Sequence, residues 1–148
     1  MVAQNHEEDA VRIDRKLPAT PEEVFDAWTD PAMMRQFMAP GNVQRTRVKA
    51  DVRVGGEFEI VMEKPDKEID HHGKYIEIDR PRKLVFTWRS VNTANRDTLV
   101  TLYFTPEGDD TRILLVHEQL PDEKAKQGHT GGWSGILDKL AEHFQKAR

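Results

Sequence analysis

Trp133-Ser134-Gly135-Ile136-Leu137-Asp138-Lys139-Leu140-Ala141-Glu142-His143-Phe144 is the stretch whose reading decides the fold. Trp133, Leu137, Leu140 and Phe144 fall at i, i+4, i+7 and i+11, so successive helical turns return an apolar side chain to one stripe. Ser134, Asp138, Glu142, Gln145 and Lys146 lie off that stripe. A helix of this kind needs a surface to cover, and the chain upstream supplies one with a different period.

From residue 43 to residue 119 the apolar pattern has period two. Residues 45–51 read as a polar strand, and Gly55-Gly56 marks a turn or bulge. Phe58, Ile60 and Met62 alternate with Glu57, Glu59 and Val61, and a strand over 73–78 runs into the turn Arg80-Pro81-Arg82. Leu84, Phe86 and Trp88 then alternate with Val85, Thr87 and Arg89; Val100, Leu102 and Phe104 alternate with Thr101, Tyr103 and Thr105. After Pro106-Glu107-Gly108-Asp109-Asp110 come Ile113, Leu115 and His117, alternating with Arg112, Leu114 and Val116. Strands joined by short turns form an antiparallel meander.

Before the meander, residues 10–17 read as a strand. Thr20-Pro21-Glu22-Glu23 is a capping box with proline at the first helical position, and Val24 and Trp28 share one face of the helix it starts. Asp30-Pro31 starts a second short helix carrying Met33, Met34, Phe37 and Met38, which Pro40-Gly41 stops. The order predicts an α+β fold: a curved antiparallel sheet of about seven strands wrapped around a long C-terminal helix, with two short helices after the first strand. Only that last helix is long enough to cover the apolar face of the sheet.

Composition bounds the possibilities. A chain of 148 residues suits one domain that buries roughly 70% of its unfolded surface. We expect a flexible tail over 1–9 and a single domain over 10–148. The net charge of −4 gives no basic field for nucleic acid. With no cysteine there is no disulfide, thiolate metal site or thiol nucleophile. No run approaches the ~20 apolar residues of a membrane span, and the acidic start lacks the regions of a signal peptide. A cytoplasmic protein without membrane insertion is expected.

The ordered motifs resemble a known family. Residues 19–31 (Ala-Thr-Pro-Glu-Glu-Val-Phe-Asp-Ala-Trp-Thr-Asp-Pro), Val54-Gly55-Gly56-Glu57-Phe58 and Gly73-Lys74-Tyr75-Ile76-Glu77-Ile78 before Pro81 are three of them. Leu84-Val85-Phe86-Thr87-Trp88, Thr111-Arg112-Ile113, and His129 followed by Gly132-Trp133 complete the set, which spans about 10–146. Together they resemble the START-like helix-grip (SRPBCC) superfamily, and within it the branch named after the activator of the heat-shock-protein-90 ATPase. The resemblance implies a pocket between sheet and helix. It does not imply one activity, because the fold hosts lipid carriers, cyclases, resistance proteins and co-chaperone modules. A chaperone activator of the named type would carry a further domain for its partner, and none is expected in a chain this short.

The face predicted to line the pocket offers Phe58, Ile60, Met62, Phe86, Trp88, Val100, Leu102, Phe104, Ile113 and Leu115, with Trp133 and Leu137 from the helix and Trp28 and Phe37 at one end. A simply packed core is the competing account of the same residues. His117 follows Ile113 and Leu115 on that face, where it orients a ligand, acts as acid/base, or is satisfied as a buried histidine. Tyr75 and Glu77, two apart on one strand, are candidate partners for it, with Glu77 expected to be solvated or salt-bridged. His129 is placed at the pocket mouth, with a surface or capping role as the alternative.

Gly128, Gly131, Gly132 and Gly135 match no phosphate loop or dinucleotide fingerprint, and their expected role is close packing of helix on sheet; a mobile gate is the alternative. His71 and His72 are strand neighbours facing opposite sides, and Pro121 stands where a zinc-protease pattern beginning at His117-Glu118 would need its second histidine. No metal and no cofactor are expected. The leading reading is binding of a small, largely apolar molecule, aromatic or lipid-like. A cyclase- or hydrolase-type enzyme using His117 is the alternative. A third is an interaction module for a chaperone or for a second copy in a homodimer, through Leu99, Tyr103, Leu114 and Val116 on the outer sheet face.

Overall fold

The structure, a computed structural model, describes residues 10–147. The expected tail over 1–9 lies outside the described residues. β1 (Val11–Leu17) is followed by α1 (Pro21–Thr29) and α2 (Pro31–Phe37), then β2 (Arg45–Ala50), β3 (Glu57–Glu63), β4 (Glu68–Asp79), β5 (Lys83–Trp88), β6 (Thr98–Glu107) and β7 (Asp110–Glu118). A 3-10 turn at Val91–Thr93 interrupts the β5–β6 connection, and α3 (Glu123–Ala147) ends the chain. The sheet runs β1-β7-β6-β5-β4-β3-β2 with every neighbour antiparallel. The meander and the long terminal helix are as the periodicity predicts.

Local chemistry explains the helix starts. The Thr20 hydroxyl accepts from the Glu23 amide at 3.2 Å, and the Glu23 carboxylate accepts from the Thr20 amide at 3.0 Å. Asp30 accepts from the Ala32 amide at 3.0 Å, so α2 begins where α1 ends. A bidentate pair from Arg80 to Asp26, at 2.8 and 2.9 Å, ties α1 to the β4–β5 turn. Asp138 of α3 meets Arg15 of β1 at 2.6 Å, which anchors the covering helix to the sheet edge.

The inner face of the sheet, α1, α2 and α3 share one apolar core. Leu84, Val100, Leu102, Ile113, Leu115, Leu137 and Leu140 are all at 0% exposure within it. Gly73 is required where β4 crosses this core: a Cβ there would lie 2.1 Å from both the Phe58 ring and the Thr87 carbonyl oxygen. Only glycine lets the Phe58 ring settle against that strand.

One predicted pairing is corrected by the sheet. Tyr75 is in register with Phe86, but Glu77 is in register with Val85, so β4 spends an extra residue in a bulge between them. An added residue reverses the in–out alternation. Tyr75 is buried, whereas the Glu77 carboxylate reaches Lys83 at 3.4 Å on the surface. On the outer face Val116 differs from expectation, being buried at 5% exposure, whereas Tyr103 is exposed as expected, with the Lys83 ammonium 5.6 Å over its ring.

Candidate functional site

The cavity lies to one side of the predicted pocket face. An open cavity of about 830 Å³ lies between the N-terminal half of α3 and residues of β3, β4 and β5. Its floor is Met62, Ile69, His71 and Trp88; its helix wall is Gly128, His129, Gly131, Gly132, Trp133 and Ile136. Pro40, Gly41 and Val43 close one side, and Val91, Asn92 and Ala94 of the 3-10 turn close another. Lys64, Asp122 and Lys124 also border it.

The glycines create this space. A Cβ built on Gly128, Gly131 or Gly132 meets nothing within 4 Å, so these positions do not pack helix on sheet. Gly135, one turn on, does serve a close approach, with its Cβ position 3.2 Å from the Pro40 ring, against a loop and not against the sheet. Just over one turn of α3, from Gly128 to Gly132, therefore presents bare backbone to a hollow. Asp122 accepts from the Ala125 amide at 2.8 Å and holds the start of this glycine-weakened segment.

Of the residues predicted to line a pocket, Met62, Trp88, His129 and Trp133 border the cavity. Phe37, Val100, Leu102, Phe104, Ile113, Leu115 and Leu137 belong to the buried core cluster and do not border it. Trp28, Phe58, Ile60, Tyr75, Phe86 and Trp88 surround a residual void of only about 10 Å³. The crowded aromatics fill the middle of the sheet. Phe58 meets Tyr75, Phe86 and Trp88 at centroid distances of 5.3, 5.5 and 6.1 Å.

His117 is fully buried with both ring nitrogens engaged. The Trp133 indole N–H donates to its Nδ1 at 2.9 Å, so Nδ1 is an acceptor and the proton sits on Nε2. Nε2 then donates to the Thr98 hydroxyl at 2.7 Å, and that hydroxyl donates to the Trp88 carbonyl at 2.5 Å. The relay joins α3, β7, β6 and β5 through one neutral imidazole. Burial, with His129 nearby, holds its pKa well below the usual histidine value. No ring nitrogen is left for proton transfer to a ligand. Tyr75 has a phenol with no partner, and burial raises its pKa to about 12, so it stays protonated. The indole N–H groups of Trp28 and Trp88 are likewise buried and unpartnered.

The histidine that sequence reasoning passed over is His71. It borders the cavity, is 5% exposed, stacks 4.7 Å from Trp88, and sits 3.1 Å through Nδ1 from the Ile60 carbonyl. Burial lowers its pKa to about 4. His129, four residues before Trp133, places Nδ1 2.7 Å from the Ala125 carbonyl and its ring edge-on to His117 at 4.8 Å; burial lowers its pKa as well. Strand parity already turned His71 inward and His72 outward, which was the signal available in the sequence. On the outer face His72 joins Glu59 and Asp70, whose potential ligand atoms lie within 4.8 Å of one another, a cross-strand group that spacing along the chain does not reveal.

A seven-stranded antiparallel sheet covered by a long C-terminal helix, with a cavity under that helix, defines the class as the START-like helix-grip fold. The sequence matches the family described as activator of Hsp90 ATPase homolog 1-like protein over residues 18–145, and the chain belongs to that family. Solved structures agree. The AHSA1 protein SPO3351 from Silicibacter pomeroyi is 25% identical, with a TM-score of 0.77 over 94% of this chain and 99% of that one. CalU16 from Micromonospora echinospora is 26% identical, with a TM-score of 0.68 over 88% of this chain and 73% of that one. Protein CV1439 from Chromobacterium violaceum, at 24% identity, shares the fold with a TM-score of 0.81 over 93% and 97%. No curated protein matches the chain. No helix among the described residues is long and apolar enough to cross a membrane.

Proposed function

We propose that this protein binds a small, largely apolar, ring-bearing molecule in the cavity beneath the N-terminal half of α3. The observation that carries the reading is the bare helix face of Gly128, Gly131 and Gly132 over a hollow walled by Trp88, Trp133, Met62, Ile69 and Ile136. Each glycine in a helix costs about 1 kcal/mol against alanine, and here alanine would clash with nothing. A stability cost that packing does not require is expected where space is being kept for a ligand. The volume, about 830 Å³, falls in the range of small-molecule sites.

The enzyme reading loses its anchor, because His117 is consumed by its relay and Glu77 faces away from Tyr75. A chaperone- or dimer-docking reading through the outer sheet face has less apolar surface than the sequence suggests, since Val116 is buried.

Thermal shift against fatty acids, sterols, flavonoids and aromatic polyketides tests the binding reading. Gly132→Leu serves as the filled-cavity control and Gly132→Ala as the helix-propensity control. A ligand at 100 times its Kd adds about 2.7 kcal/mol, a rise of several degrees for a domain of this size. The rise should persist in Gly132→Ala and vanish in Gly132→Leu. A rise that survives Gly132→Leu, or no rise with any class, rejects the proposal.

A further inference from the structure

The polar groups of the cavity select among ring-bearing ligands, and the selection rests on the binding function proposed above. A carbonyl oxygen only accepts, so the contact of His71 Nδ1 with the Ile60 carbonyl requires the proton on Nδ1. The same logic applies to His129 and the Ala125 carbonyl. In each neutral ring the other nitrogen, Nε2, is then an acceptor. Two residues from different elements, β4 and α3, thus bring acceptor imidazoles to one cavity. Their proximity is also felt electrostatically, since a charge on His129 disfavours one on His71. Beside His71 lies Trp88, whose buried indole N–H has no partner.

We infer that the cavity takes an uncharged aromatic hydroxyl compound, a phenol or naphthol in chemical class, whose hydroxyl donates to Nε2 of His71 or His129 while its ring lies against Trp88 and Trp133. A hydroxyl is the simplest uncharged group that donates to an imidazole acceptor. A carboxylate would set acceptor against acceptor, and the lysines that border the cavity are half-buried Lys64 and exposed Lys124. An ammonium would enter with no carboxylate but that of Asp122, which is exposed and already caps α3. An aryl ether keeps the acceptor and loses the donor.

The full chain is titrated at pH 7.5 by calorimetry with phenyl, naphthyl and biphenyl series, each as the phenol, its methyl ether and the matching carboxylate. One series at least should bind, with the phenol tighter than ether and carboxylate by about 3- to 10-fold, as a net hydrogen bond supplies. His129→Leu, at a half-buried site, and His71→Leu should each reduce that advantage, and the double variant should bind phenol and ether equally. On addition of the phenol, the ¹⁵N resonance of an imidazole Nε2 should shift as the nitrogen accepts a hydrogen bond. Equal affinity of phenol and ether, preference for the carboxylate, or an advantage kept in the double variant overturns this inference and leaves the binding function standing. No binding in any series overturns both.

Discussion

His117 is a residue for which sequence and structure assign different roles to the same placement. Period two places it inward after Ile113 and Leu115, and inward is where it lies, at 0% exposure. What the strand pattern cannot show is that Trp133, from a helix sixteen residues on, arrives with an indole N–H aimed at Nδ1. With Thr98 on the other nitrogen, the ring is a joint and not a base. His117→Leu should leave the Trp133 donor and the Thr98 hydroxyl short of partners, at a cost of about 2–4 kcal/mol. Gln offers one acceptor and one donor, so His117→Gln should recover part of that loss. Urea denaturation checks the order: a midpoint for Leu at or above that for Gln would show that the site needs only apolar bulk.

At the scale of elements, α3 combines two tasks along its length. Its second half carries Ile136, Leu137, Leu140 and Phe144 into the core, and its first half carries glycines over a hollow. Gly128→Ala, Gly131→Ala and Gly132→Ala should each raise stability by about 0.5–1 kcal/mol, or roughly 3 °C in Tm, because the methyl group meets open space. A fall in Tm at these positions would mean that the backbone, and not the space, requires glycine. Gly135→Ala should gain less, since its methyl group presses on Pro40. The elements themselves were legible: capping boxes, alternation and the Trp133-to-Phe144 stripe are local signals that name each helix and strand. The cavity was legible only in part. Alternation marks Phe58, Phe86 and Leu102 as inward, but whether inward side chains meet each other or leave a gap depends on how α3 crosses the sheet. That crossing fills the centre and opens the end, so His71, Ile69 and the glycine face take the place of the predicted Leu102 and Phe104. The same logic makes the core a poor place for a cavity-filling test, since a larger residue at Leu102 would overpack a site already at 0% exposure.

For the molecule as a whole, three imidazoles, His71, His117 and His129, are held neutral by burial on or beside the cavity wall, and this sets how folding responds to acid. The pKa of His71 falls from the ordinary 6.5 to about 4 in the fold, chiefly by desolvation, so between those values the unfolded chain binds the proton and the folded chain does not. Stability from this group is complete above pH 6.5 and is lost as pH falls towards 4. At about pH 5 the loss from His71 alone is on the order of 2 kcal/mol, and His117 and His129 act in the same direction. The Asp26 carboxylate behaves separately: the Arg80 hydrogen bond lowers its pKa below 3.8, so its share is lost only in stronger acid. Urea midpoints measured from pH 7.5 down to 4.5 should therefore fall steadily below about 6.5, with the slope reduced in His71→Gln. Bound phenol, by occupying an imidazole lone pair, should hold the midpoint higher at pH 5 than the matching ether does. A midpoint flat across this range would show that these rings accept protons in the fold, and that the neutral acceptors on which ligand selection depends are not there.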